Sequence, residues 1–61
     1  MKITDIINYG TIVQVVVDEG NPINMDHRCF QDMVAIEKGK LIGREIVVHG
    51  DEFEQNIEFV D

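Results

Sequence analysis

The chain alternates apolar and polar positions over several short stretches and changes to helical spacing in one. Between Thr11 and Asp18, Thr11, Val13, Val15 and Val17 point one way, and Ile12, Gln14, Val16 and Asp18 the other. That is the two-residue period of a strand, and its β-branched residues suit a pleated backbone. Glu19-Gly20-Asn21 supplies turn chemistry. Pro22 to Met25 reads as a short return strand, with proline at its start, where a missing N–H is tolerated.

Met25 to Lys38 reads as a helix. Asp26 is the candidate N-cap, with Asn24 as the other choice. Cys29, Phe30, Met33, Val34 and Ile36 fall within an arc of roughly 160° at about 100° per residue, which predicts a buried stripe holding Cys29. Arg28 and Asp32, four apart on the opposite face, can pair weakly. Glu37 lies near the middle of the apolar arc, at a last turn that can reach water. Lys38 suits the negative helix end, and Gly39 fits the residue after the cap.

Leu41 to His49 contains the next strand, with Ile42, Arg44, Ile46 and Val48 on one face and Glu45, Val47 and His49 on the other. Gly50-Asp51-Glu52 turns the chain, and Gln55 to Val60 pairs back with Ile57 and Phe59 inward. In the first ten residues Ile3, Ile6 and Ile7 fit helical spacing, while Ile3, Asp5 and Ile7 fit a strand. The strand is preferred, because Asn8-Tyr9-Gly10 reads as a turn or bulge into the Thr11 strand. The order is β-β-β-α-β-β in a single α+β domain spanning 1–61. It predicts a small curved antiparallel sheet, or a partly closed barrel, with one amphipathic helix packed on it.

Length and charge narrow the possible jobs. The chain has 61 residues and a net charge of −7, from five Lys/Arg against twelve Asp/Glu. Direct binding to DNA or RNA needs bases to displace phosphate counterions, so no nucleic acid is expected as a direct partner. No anionic membrane surface is expected either. No apolar run approaches the roughly 20 residues of a membrane span, and the N-terminus lacks a signal-peptide core. The cytoplasm is the default compartment. Hydrophobic residues make up 44%, rich in Val and Ile, which argues against disorder. A domain this short buries only about 60% of its unfolded surface, so its core is small.

The chemistry-bearing residues do not assemble into a catalytic pattern. Cys29 is the only cysteine, which excludes an internal disulfide and an all-cysteine zinc site. On a regular helix His27 and Cys29 point about 200° apart, so zinc would need His49 from the second hairpin. A nucleophilic thiol needs an electropositive setting, which an acidic chain opposes. The carboxylates around Asp51 lack the calcium-loop spacing. Gly39-Lys40-Leu41-Ile42-Gly43 lacks the phosphate-loop order. Neither an enzyme nor a cofactor is expected.

The feature that stands out is charge placement. Residues 31–61 carry a net −5 against −2 for residues 1–30, and no Lys or Arg follows Arg44. The C-terminal hairpin is an acidic element bearing Glu45, Asp51, Glu52, Glu54 and Glu58, with Phe53 as a candidate apolar anchor. Tyr9, beside Gly10 at a turn, is the second aromatic candidate. The plain reading is a solubilising face. The sharper one is a docking surface for a basic protein, with carboxylates standing where a nucleic acid would put its phosphates. Size, acidity and missing catalytic machinery match the profile of small inhibitors made by phages and mobile elements, used there in counter-defence. The competing expectation is an accessory module or homodimer formed through the apolar strands, because Thr11 to Val17 would invite pairing at a sheet edge. A small metal or redox protein built on Cys29 and the histidines is a distant third.

Overall fold

A computed structural model of the chain describes residues 1–51 and 55–61. The strands β1 (Ile3–Asn8), β2 (Ile12–Val17) and β3 (Ile23–Asp26) precede helix α1 (His27–Ile36), and β4 (Ile46–Gly50) and β5 (Gln55–Phe59) follow it. The α+β order β-β-β-α-β-β stands as expected. In place of one continuous sheet there are two, β1-β2-β3 and β4-β5, each antiparallel. They join through the first three residues. Lys2 bridges Glu45, Ile46 N donates to Met1 O at 2.7 Å, and Gly43 N donates to Ile3 O at 2.7 Å. The sheets do not close into a barrel: β3 and β5 come within 8 Å of each other, but no ladder joins them among the described residues.

The strand with two apolar faces is central. β2 pairs with β1 on one side and β3 on the other, so the edge hazard expected of Thr11–Val17 does not arise. Val13, Val15 and Val17 are buried, and Val15 and Val17 meet Ile3 and Ile23 in the core, which Leu41 and Ile46 complete. No polar or charged residue is buried among those described.

β1 resolves the ambiguity of the first ten residues. Its register against β2 shifts between Ile3 and Asp5: Ile3 faces Val17, whereas Asp5 faces Val16 and Ile6 faces Val15. The extra residue at Thr4 is a bulge. It turns both Ile3 and Ile6 inward and Asp5 and Ile7 outward, so a strand acquires the three-residue spacing of a helix.

Asp26 caps α1 as expected, its Oδ1 accepting from Arg28 N at 2.8 Å. The helix starts two residues later than the spacing predicts, because Met25 belongs to β3. At the other end Gly39 N donates to Val34 O at 2.9 Å and Lys38 N to Ala35 O at 3.3 Å. This is a Schellman ending. Glu37 is the cap, so Lys38 rather than Gly39 is the residue after it, at φ 56°, and Gly39 follows at φ 77°.

Two expectations for the middle of the chain are corrected. Cys29 is exposed rather than buried, and Ile36 is 74% exposed. Only Phe30, Met33 and Val34 of the predicted stripe pack against the core, because α1 leans on β2 and β3 along that line and nothing described covers its other shoulder. The alternation from Leu41 to His49 also breaks. Residues 41–44 form a turn closed by Arg44 N to Leu41 O, with Gly43 at φ 85°. Leu41 is buried, Ile42 is 59% exposed, and the strand begins at Ile46.

Candidate functional site

Of the acids of the C-terminal hairpin, read from the sequence as one docking face, Glu45 and Glu58 are engaged within the chain. Glu45 sits next to the N-terminal ammonium of Met1, Oε2 to N 3.2 Å. That oxygen is shut off from solvent without a well-directed hydrogen bond, so the contact is ionic. Glu58 reaches diagonally across the outer face of the hairpin to His49 Nε2 at 2.5 Å. Asp51 is exposed. Glu52, Phe53 and Glu54 lie outside the described residues.

Arg44 draws two further acids together. Its guanidinium meets Asp61 at 2.8 Å and Glu37 at 3.0 Å, donates to Lys40 O at 3.0 Å, and stacks 4.6 Å from the centre of the Phe59 ring. The hydrogen bond from Arg44 holds the Asp61 carboxyl below its ordinary range. The same bond raises Arg44, against some desolvation. The arc position of Glu37, odd for an acid in the sequence, is explained by this partner. Asp5, Glu19, Asp26 and Asp32 make no ion pair among the described residues.

Tyr9 is the sequence candidate that stands open. It is 65% exposed in the β1–β2 turn, where its N–H donates to Ile12 O at 2.9 Å. That bond places it opposite Ile12 on the outer face of the three-stranded sheet. Ile7 faces Gln14 on the same side, and Val16 faces Asp5. Ile12 is 48% exposed, Ile7 lies at its margin, and Val16 is half-buried. Gln14 and Asn24 hydrogen-bond side by side at 3.3 Å. The ionisable groups at the paired positions of this face are Asp5 and Asp26, with Arg28 at the margin beside Gly10 and Thr11. Sequence reasoning singled out Tyr9 but not its apolar neighbours. Ile7 stood on a face shared with Ile3, and only the bulge separates them.

A second surface adjoins this one along β3. A groove of about 540 Å³ runs between α1 and β5, with Met33, Ile57 and Phe59 among its apolar members and Asp26, Asp32 and Glu37 among its acids. Cys29 opens into it. The sequence offered no signal for this groove, because it arises from the stripe residues the helix leaves uncovered. Among the described residues no three His, Cys, Asp or Glu side chains gather as a metal site, and His27, Cys29 and His49 are not brought together. No described helix is long and apolar enough to cross a membrane. Comparison with protein-family models, curated proteins and solved structures returns no match to the chain.

Proposed function

We propose that this chain is a non-enzymatic binding protein that docks on the basic surface of another protein, one that handles nucleic acid. The observation that carries the reading is Tyr9, 65% exposed on an apolar sheet face whose paired ionisable positions are both acids. An aromatic ring with aliphatic neighbours supplies contact area at low entropic cost, and a polar rim excludes water around it. The net charge of −7 steers encounter with a positive surface and repels a second copy of the chain. Where that positive surface is one that holds phosphates, docking competes with nucleic acid, and the chain acts as an inhibitor or regulator. The homo-oligomer reading loses its main support, since β2 lies inside the sheet.

The test is affinity capture by the immobilised chain and its Tyr9→Ser variant in parallel, eluted with a salt gradient. The reading expects a basic protein that the wild type retains at low salt and releases as the Debye length falls toward about 3 Å near 1 M, and that the variant does not hold. Equal retention by both chains, or capture of the chain by itself alone, contradicts it. Tyr9 is exposed, so the variant keeps the fold.

A further inference from the structure

We propose that the groove between α1 and β5 receives a short segment of the partner in which apolar side chains alternate with lysine or arginine. The inference rests on the binding-protein reading but concerns a different surface. The groove, at about 540 Å³, lies within the size range of specific ligand sites. Its apolar members include the flexible Met25 and Met33 and the exposed Ile36, set against Ile57 and Phe59 from the opposite wall. Methionine adapts to irregular apolar partners, which suits a segment rather than one rigid small molecule.

Charge selects the occupant. Among the described residues no Lys, Arg or His lines the groove, whereas Asp26, Asp32 and Glu37 do. Arg44 already matches Glu37. Asp26 and Asp32 lie on the α1 side without an ion pair among the described residues. They sit at the groove where flanking cations of a bound segment would come to rest, while its apolar side chains enter between Met33 and Phe59. A second copy of this acidic chain has the wrong sign for that position. Asp26 is also shared with the outer sheet face, so one partner can cover Tyr9 and cross β3 into the groove.

The chain carries its own reporter in Cys29. The experiment titrates the full chain with the peptide acetyl-Lys-Leu-Lys-Phe-Lys-amide, with acetyl-Glu-Leu-Glu-Phe-Glu-amide as control, and reads backbone amide shifts and the rate of Cys29 modification by a disulfide reagent. The inference expects saturable shifts at Met33, Ile57 and Phe59 with the lysine peptide only, and slower modification of Cys29 at saturation. Asp32→Lys, at an exposed position, should weaken the peptide about tenfold, and Asp32→Asn by less. Three results overturn it: equal binding of the glutamate peptide, no saturation by about 1 mM, the floor of weak specific affinity, or shifts confined to the Tyr9 face with Cys29 unprotected. Any of these leaves the capture test of the Tyr9 face unaffected, so the two failures are distinguishable.

Discussion

Arg44 holds Asp61 through both carboxylate oxygens, with Nε 2.8 Å from Oδ1 and 3.0 Å from Oδ2. Because Arg44 also reaches Glu37 and Lys40 and lies over Phe59, it fastens the last residue of the chain to the end of α1. Asp61 is lowered by this bond. The folded state therefore binds fewer protons than the unfolded state between the depressed value and the ordinary 3.8. Stability from this group is fully present above that ordinary value and is lost as pH falls through the depressed one. Urea midpoints measured from pH 6 down to pH 2 should fall less steeply for Asp61→Asn than for the wild type. Parallel curves would remove Asp61 from the acid limb.

The seam between the two sheets is the sensitive part of the core. Ile3 and Ile46, each 1% exposed, meet there beside the Lys2–Glu45 bridge. Ile46→Val should cost about 1 kcal/mol and Ile46→Ala about 3 kcal/mol, from lost burial plus the cavity left behind. In a domain of this size the second loss is a large part of the total. Denaturant melts of both variants check the order; a small cost for Ile46→Ala would mean the seam collapses freely.

Lys38 sits at φ 56° in the ending of α1. The left-handed conformation costs a side-chain-bearing residue roughly 1–2 kcal/mol, part of which glycine returns through the entropy of the unfolded chain. Lys38→Gly should therefore stabilise by about 0.5 kcal/mol, read as a higher urea midpoint at unchanged slope. A lower midpoint would count against the helix ending described.

Cys29 opens into the groove rather than the core. Cys29→Ser should change stability by no more than about 0.5 kcal/mol, as surface substitutions do. The thiol should react in the native protein without prior unfolding. Reaction at the global unfolding rate would return Cys29 to the interior.

The sequence carried the element order because each strand or helix repeats its own period and ends in turn or capping residues. The alternation put Val13, Val15 and Val17 on one face of their strand, but the opposite face is apolar too, and only the packing makes theirs the buried one. The bulge at Thr4 needed tertiary information as well, because a one-residue shift in pairing makes Ile3 and Ile6 neighbours on a strand. The width of the helix stripe was equally illegible: an arc of apolar residues says which face is available, not how much of it a small sheet can cover. Of the candidate site, Tyr9 was legible from its place beside a turn glycine. The engagement of Glu45, Glu58 and Asp61 was not, since their partners Met1, His49 and Arg44 stand nine or more residues away in the chain.

Competition for one surface is the most direct measure of the central claim. The protein captured by the chain is first bound to a labelled DNA or RNA duplex, and the chain is then titrated in while anisotropy and complex mass are followed. Mutually exclusive binding is predicted: the duplex is released as the chain binds, and more chain is needed when Tyr9 is replaced by serine. A stable complex holding partner, duplex and chain together would contradict docking on the nucleic-acid surface.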